Sequence, residues 1–199
     1  EQLRARLGDG FEAAWDKASA AVQATEGEVL TYDGALIEAT YFSCSGGSTE
    51  AAAAVWGSDV PYLQSVSSPG EQDAAKYQST EMLSPQAFAA AIRTLDEELV
   101  LSGDPAGWVQ GITRTDGGGV DTACIGGKTF TGTQLRRAFG LNSTKFTLQY
   151  RSGAFTFDVL GYGHRVGMSQ YGAEAIAELG FDYQTILRYY YRGAALTQM

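Results

Sequence analysis

The residues best suited to chemistry lie in one glycine-rich segment, residues 161–173. This segment contains the only histidine of the chain, His164, followed by the hydrogen-bonding side chains of Ser169, Gln170 and Tyr171. It lies between a strand-like sequence and a helix-like one, where loops commonly carry function. Glycines on both sides of His164 allow positive φ and a close approach of the backbone to a partner. The pattern therefore predicts that these polar groups are aimed at a ligand.

A second glycine-rich loop, residues 43–50, follows a predicted strand. The backbone amides of Ser45, Gly46 and Gly47 are expected to be open there, and such amides can hold an oxyanion or a sugar oxygen. The simpler interpretation is a tight loop at the end of a strand. Taken alone, the sequence of this loop favours that simpler interpretation.

Three acidic residues lie within or near the two loops: Glu38, Glu50 and Asp158. They matter because paired carboxylates are the usual route to cleavage of a glycosidic bond. Glu50 is the best placed of the three, although an acid in such a loop is more commonly solvated at the surface. We therefore expect Glu50 to be a surface acid.

His164 is open to several roles. A substrate-facing role and a purely structural loop histidine are equally compatible with the sequence. Zinc needs three or four ligands, and no other ligands stand at a recognisable spacing from His164. A hydrolase that pairs His164 with Cys44 or with a loop serine is an alternative, because such a nucleophile needs an adjacent base. The sequence lacks the nucleophile-elbow and papain-like signatures that would support it.

The composition limits the class of partner. The chain has 199 residues, a net charge of -9 and a pI near 4.6, with no visible basic patch, so nucleic acid is not an expected partner. A disulfide between Cys44 and Cys124 is neither required nor excluded by their spacing. No stretch is long and apolar enough to span a bilayer. Because the chain begins with Glu1, we expect it to be a processed or truncated piece of a longer protein.

Periodicity and turn residues predict an α+β fold, with antiparallel hairpins interspersed with short helices. The chain is expected to form a single domain, alone or with a small additional lobe. Hairpins are predicted around three turns, with the strands at 28–32 and 35–42, 108–115 and 120–125, and 145–150 and 154–160. Helices are predicted at 11–25, 51–55, 85–95, 131–139, 173–179 and 183–191, with Ser84 as the N-cap of the third. Residues 67–79 are predicted to be an exposed loop. In the last helix, the run Tyr189–Tyr191 is expected to pack inward with one ring reaching solvent, where it could line a sugar groove.

Three collinear motifs resemble the stage II sporulation protein D family, which includes amidase-enhancer relatives. The first is residues 161–173, followed by a pattern that continues to 193. The second is residues 41–49 with 55–57 and 60–63, and the third comprises Gly132, Leu135, Arg136, Leu141 and residues 143–146. The resemblance covers residues 20–195, and three motifs in order are far more specific than one glycine pattern.

The resemblance implies a peptidoglycan lytic transglycosylase that acts outside the cytoplasmic membrane on glycan strands stripped of stem peptides, during engulfment in a spore-forming bacterium. It also implies an anchor in a removed N-terminal segment. In this chemistry one acid protonates the glycosidic oxygen and then deprotonates a hydroxyl of the sugar, which closes an anhydro ring. The partners expected are glycan strands and, for an amidase-enhancer relative, a cell-wall amidase.

The chain departs from the family pattern in one respect. The family's catalytic glutamate lies in an alanine-rich helix that has no counterpart in residues 1–199, and the Cys and His residues that bind zinc in some relatives also belong upstream. No catalytic residue or cofactor is therefore assigned within this chain. The resemblance places His164, Ser169, Gln170, Tyr171 and the loop Ser45, Gly46 and Gly47 along a glycan groove.

Arg165 stands where relatives usually carry glycine, so it is expected either to contact a muramyl carboxylate or to cap the loop. Two other classes of function stay open. The first is a non-catalytic module that binds glycan or a partner amidase, and the second is a metal-dependent hydrolase.

Overall fold

The computed structural model describes residues 2–199, and Glu1 lies outside the described residues. The chain forms two compact units. The smaller consists of the residues up to Ile37 together with Ala195–Met199, and the larger consists of Glu38–Ala194. Both candidate loops lie within the larger unit. No helix within residues 2–199 combines the length and the apolar composition that crossing a membrane requires.

Helices and mostly antiparallel strands alternate along the chain, which confirms the α+β class. The helices in the described residues are α1 (Gln2–Leu7), α2 (Phe11–Ala24), α3 (Ala52–Trp56), α4 (Pro85–Arg93), α5 (Gly132–Phe139), α6 (Gln170–Glu178) and α7 (Tyr183–Tyr190). The strands are β1 (Glu28–Tyr32), β2 (Ala35–Leu36), β3 (Tyr41–Phe42), β4 (Gly47–Ser48), β5 (Ser67–Ser68), β6 (Gln78–Leu83), β7 (Val109–Arg114), β8 (Val120–Ile125), β9 (Lys128–Thr131), β10 (Phe146–Arg151), β11 (Ala154–Leu160), β12 (Met168–Ser169) and β13 (Ala195–Gln198). Gly8–Gly10 and Pro105–Gly107 form short 3-10 turns.

In the smaller unit, β1 lies between β2 and β13, and both pairings are antiparallel. Asp33 and Gly34 have φ of 49° and 78°, which are the positive values expected of a type I′ turn, so the first hairpin is confirmed. Its second strand ends at Leu36, however, and the predicted continuation to Phe42 is wrong. β3 pairs in parallel with β12 instead, a contact that the local sequence does not signal.

The core of the larger unit packs α4 and α5 against the sheets β10-β11-β6 and β7-β8-β9. At its centre the Phe88 ring stacks on Phe155 with a centroid distance of 3.9 Å. Local signals set the first residues of these helices, as predicted for Ser84. Ser84 caps α4 by accepting a hydrogen bond from the Ala87 amide at 3.2 Å, and Thr131 caps α5 in a capping box with Gln134.

Residues 67–79 are not the exposed loop that was predicted. Ser68, Glu71 and Ala74 are buried, and the last two residues of the segment begin β6. A polar segment can be buried when its hydrogen-bonding groups find partners elsewhere in the fold. For Glu71 these partners lie mainly in the first candidate loop, and for Ser68 they are Glu71 and Tyr190 of α7.

Candidate functional site

The two glycine-rich loops lie side by side. Cys44 and Tyr162 exchange backbone hydrogen bonds of 3.2 and 2.8 Å, and the Glu50 amide donates to the Arg165 carbonyl at 2.6 Å. Gly161 has a φ of 84°, and a Cβ at this position would stand 2.8 Å from the Ser45 carbonyl oxygen. Glycine is therefore needed here both for the backbone conformation and for the close packing of the loops.

The open amides of the first loop already hold an anion, which is the carboxylate of Glu71. Its Oε2 accepts from the Ser45 amide at 2.8 Å, the Ser45 hydroxyl at 2.7 Å and the Gly46 amide at 2.9 Å, with a longer contact to the Gly47 amide. Ser45 and Gly46 are buried. Their predicted role towards an external oxyanion or sugar oxygen is thus replaced by an internal one, because the chain supplies its own carboxylate.

The other oxygen of Glu71 belongs to a buried network with Ser68 and Tyr190. Oε1 accepts from the Ser68 hydroxyl at 2.7 Å, and that hydroxyl lies 2.7 Å from the Tyr190 hydroxyl. Burial is the main cause that raises the pKa of Tyr190 to about 12. A Cβ on Gly172 would collide with Ser68 Oγ and Tyr190 Oη, so the glycine in α6 is required by packing. Glu71 lies outside the motifs identified from the sequence, so nothing local pointed to its role.

Glu50 and Arg165 form a second buried centre. Arg165 Nη1 donates to Glu50 Oε1 at 2.8 Å, and both side chains are almost inaccessible. The remaining guanidinium donors bond the carbonyls of Ser45, Ser48 and Gly117, each at 2.7 Å. Burial is the main cause that lowers the pKa of Arg165, and the adjacent carboxylate of Glu50 opposes it.

This pair overturns the expectation for Glu50 and excludes one of the two alternatives for Arg165, leaving the one in which Arg165 caps the loop. Glu50 is not a solvated surface acid, because its Oε1 also accepts from the Thr115 hydroxyl at 2.9 Å and the Gly119 amide at 3.0 Å. Arg165 cannot reach a muramyl carboxylate, because its side chain is buried and points into the protein. The turn at residues 116–119, read from the sequence as an ordinary hairpin turn, forms one wall of this centre.

His164 is half-buried between aromatic rings. Its ring centroid lies 5.6 Å from that of Phe42 and 5.5 Å from that of Trp56. Nδ1 accepts from the Val166 amide at 3.2 Å, so the neutral ring carries its proton on Nε2. Burial is the main cause that lowers the pKa of His164, a hydrogen bond to the Tyr41 backbone opposes it, and the charge of Arg136 adds to the lowering. The imidazole is therefore neutral at pH 7.

The lowered pKa of His164 predicts a pH dependence of stability. The unfolded chain binds this proton near pH 6.5 and the folded chain only at lower pH. The contribution of the neutral ring to the free energy of unfolding is therefore fully present above pH 6.5. This contribution is lost as pH falls through the pKa of His164 in the folded chain. We expect the ¹H–¹³C signal of the ring to titrate below pH 6.5. A His164→Gln variant should lose less stability than the parent between pH 7 and pH 5, and equal losses would contradict this prediction.

The other residues predicted for the groove divide into two groups. Gln170 and Tyr171 are exposed in the first turn of α6, which begins at Gln170 and not at Ala173 as predicted. Ser169 is buried and caps that helix, where its hydroxyl accepts from the Gly172 amide and donates to the Ser43 carbonyl. Ser169 therefore positions the helix and does not face a ligand.

Exposed aromatic rings lie beside the loops, and three of them, Tyr41, Trp56 and Tyr162, were not assigned to the site from the sequence, whereas Tyr171 was. Tyr41 in β3, Trp56 at the end of α3 and Tyr162 are exposed by 60%, 45% and 37%, and Tyr171 also by 37%. Trp56 lies against His164, as its ring distance shows. In the run at 189–191, Tyr190 and Tyr191 are buried and Tyr189 is partly exposed, as predicted, although the Tyr189 hydroxyl is bonded to the Ser67 carbonyl.

The cysteines do not supply a nucleophile for His164. Both are free thiols, and Cys44 is fully buried. Burial raises the pKa of Cys44, and the nearby charge of Glu71 raises it further, so the reactive thiolate is disfavoured.

The other two acids considered from the sequence lie elsewhere. Asp158 lies on β11 and accepts from the Thr80 hydroxyl at 2.8 Å, and Glu38 is exposed. Within residues 2–199 no group of three or more His, Cys, Asp or Glu side chains could hold a metal ion.

Comparison with known proteins shows which proteins the chain is similar to. No protein-family model matches it. It is 38% identical over 198 residues to stage II sporulation protein D of Bacillus subtilis (strain 168), an alignment that covers 99% of this chain and 56% of that protein. The same protein of Bacillus amyloliquefaciens matches with the same identity and coverage. An amidase enhancer of Bacillus subtilis is 31% identical over 227 residues, which covers 89% of this chain and 32% of that protein.

Fold and site together define an α+β protein whose paired glycine-rich loops enclose two buried carboxylates. Its homologues at 38% identity over nearly the whole chain are stage II sporulation D proteins, as its three motifs indicated, and an amidase enhancer is also a relative. The chain spans about half the length of the sporulation proteins that it matches.

Proposed function

We propose that this chain is the glycan-binding part of a peptidoglycan lytic transglycosylase with a cell-wall role in sporulation. The names of the relatives support the coarser role in sporulation and the cell wall. The observation that carries the finer proposal is the exposed ring of Trp56 against the neutral, half-buried His164, with further exposed rings on the adjoining segments at Tyr41, Tyr162 and Tyr171. Aromatic faces with a few aimed polar groups suit an uncharged sugar, since they give contact area without a charge to desolvate.

In this proposal the residues of the chain bind and orient the strand. The rings of Trp56 and Tyr171 pack on sugar faces, while the Gln170 amide and the Tyr171 hydroxyl bond sugar oxygens. The buried pairs hold the loops in one geometry, because a carboxylate with several donors fixes each of them. Holding the reacting bond in place is itself a large part of catalysis.

The general acid is proposed to come from a segment outside residues 1–199. Glu50 and Glu71 are buried and hydrogen-bonded within the protein. Both carboxylates are inaccessible from the surface, so neither is presented to the glycosidic oxygen of a bound strand. Zinc, where a relative binds it, would likewise need ligands from outside the described residues. The substrate proposed here implies a location outside the cytoplasmic membrane.

The decisive experiment compares this chain with a form extended at its N-terminus. Stem-peptide-free glycan strands are incubated with each, and the products are analysed by mass spectrometry. Anhydro ends produced by the extended form alone are the expected result. Ends produced by the shorter chain would place the acid within it, and the absence of ends from both would contradict the transglycosylase proposal.

The exposed ring of Tyr171 gives a sharper test of the surface. In the extended form, Tyr171→Ala should lower the yield of anhydro ends at least about tenfold, because a stacking ring and a hydroxyl are lost together. Phe181→Ala is the matched control, since this exposed ring follows the other end of α6. Thermal unfolding of both variants should stay close to that of the parent. Equal yields from the two variants would remove Tyr171 from the site.

A second candidate is a non-catalytic module that binds glycan or a partner amidase. The likeness to an amidase enhancer and the engaged state of Glu50 and Glu71 favour it. It predicts that the extended form retains glycan strands without making new ends, and that adding a cell-wall amidase raises peptide release. The same mass spectra therefore distinguish the two candidates.

A further inference from the structure

A cationic cleft lies beside the His164 loop. It has a volume of about 420 Å³ and is lined mainly by polar side chains, among them Arg136, Arg137, Asn142 and Tyr162. Two arginines in one cleft stand out in a chain whose net charge is -9. Clefts lined by one sign of charge concentrate ligands of the opposite sign.

The guanidinium groups in this cleft lack acidic partners. The ion pairs among the described residues involve other arginines and lysines. Arg136 uses Nε to bond the Leu141 carbonyl at 3.2 Å, just beyond the C-terminal end of α5. This bond accounts for one donor of Arg136 and leaves its two terminal nitrogens, as well as the Arg137 side chain, without a hydrogen bond among residues 2–199.

The surroundings of Arg136 favour an anion over water. The side chain is half-buried, and burial is the main cause that lowers its pKa. A partly desolvated cation without a counter-charge gains more from binding an anion than an exposed one does. Lys76 adds a third positive charge at the edge of the cleft, with Nζ 4.5 Å from the centre of the Tyr162 ring.

The cleft is joined to the candidate site. The Gly163 amide donates to the Asn142 carbonyl at 3.0 Å, which ties the cleft wall to the residue before His164. The Arg136 charge also acts on His164. An anion in the cleft would therefore be part of a ligand that continues across the His164 surface.

We infer that this cleft binds the lactyl carboxylate of muramyl residues that have lost their stem peptides, with Arg136 as the main contact and Arg137 as a second. The inference rests on the proposed function. A guanidinium group binds a carboxylate in a bidentate geometry, through two parallel hydrogen bonds. When a stem peptide is attached, the same carboxyl is an amide without charge. The cleft would thus distinguish stripped strands from peptide-bearing ones.

The test measures binding of this chain to two forms of one ligand by calorimetry. One is stem-peptide-free glycan, and the other is the same glycan with its carboxylates converted to methylamides. We expect the free-carboxylate form to bind about tenfold more tightly at low salt, since a charge-assisted pair is lost in the other. Added salt should reduce this ratio towards one.

Variants assign the effect to the cleft. Arg136→Gln should bind both forms equally, and Arg137→Gln should show a reduced ratio. The Arg137 side chain makes no hydrogen bond among residues 2–199, so its replacement should not disturb the fold. This second variant keeps the test valid if Arg136→Gln destabilises α5. Arg188→Gln is the matched control, because Arg188 is an exposed arginine in the last turn of another helix, and its ratio should be unchanged.

The outcomes separate the two proposals. Binding of both forms with equal affinity by the parent chain would overturn the cleft assignment and leave glycan binding intact. Failure to bind either form would overturn the glycan proposal and the cleft assignment with it. A competition experiment adds inorganic phosphate or lactate to the bound strands at equal concentration. Stronger displacement by phosphate would show that the cleft prefers phosphate to a carboxylate and would overturn the inference.

Discussion

Replacement of Glu71 by alanine should destabilise the larger unit by about 4 kcal/mol, because each buried donor left without an acceptor costs roughly 1–3 kcal/mol. The donors affected are the Ser45 amide and hydroxyl, the Gly46 amide and the Ser68 hydroxyl. No solvent reaches them, since Ser45, Ser68 and Glu71 are buried. Urea unfolding gives the free energy, and hydrogen exchange at the Ser45 and Gly46 amides should accelerate.

Two further variants make the Glu71 prediction specific. Glu71→Gln keeps one acceptor oxygen but presents an NH₂ group to donors, so it should fall between the parent and the alanine variant. Gln72→Ala, at the exposed neighbouring position, is the control and should leave the unfolding midpoint almost unchanged. A Glu71→Ala midpoint equal to that of Gln72→Ala would show that the loop amides do not depend on this carboxylate.

Replacement of Arg165 by methionine should have an effect of similar size. The substitution keeps the length of the side chain but leaves the Glu50 carboxylate buried without its cation, which typically costs about 3–5 kcal/mol. The carbonyls of Ser45, Ser48 and Gly117 also lose their donor. Denaturant unfolding of the purified variant measures the loss.

A second substitution identifies the cause of that loss. Arg165→Met combined with Glu50→Gln should recover part of the stability, because the unpaired buried charge is gone. Arg151→Met is the matched surface control, as Arg151 lies 4.0 Å from Asp158 with an exposed side chain, and exposed pairs contribute little. If Glu50→Gln lowers the stability of Arg165→Met further, the pair is not coupled through charge.

The substitution Arg165→Gly changes backbone strain and charge together. Arg165 has a φ of 67°, which is unfavourable for any residue with a Cβ. Glycine relieves this strain but removes the ion pair and leaves a cavity in place of a fully buried side chain, so the variant should be less stable than the parent.

The buried carboxylates also explain the arrangement of the surface. Glu71 holds the loop that leads into α3, while Glu50 and Arg165 join that loop to the segment that precedes α6. Trp56 and Tyr171, which the proposed function places against sugar, extend from these two helices. A rigid polar core under an aromatic surface would keep those rings in place without a ligand, which limits the ordering cost of binding.

The sequence by itself determined the features that depend on a few neighbouring residues. Asp33-Gly34 and Ser152-Gly153 specified hairpin turns, and Ser84 and Thr131 specified helix starts, because their bonds close within three or four positions. The glycines around His164 and the three motifs likewise identified the two loops and the family. Gln170 and Tyr171, which the sequence assigned to the groove, are exposed in the first turn of α6, and their contact with glycan stays a prediction.

Only the tertiary structure decided which polar groups face solvent and which face each other. Glu71 bonds Ser45 across 26 positions and Arg165 bonds Glu50 across 115, so neither pairing has a local signal. The cost of burying a charge depends on the donors and acceptors that surround it in space, and these come from distant segments. For this reason Ser45, Glu50 and Ser169 were assigned from the sequence to a ligand or to solvent, and the sequence left two alternatives open for Arg165. The fold uses all four residues to hold the loops together.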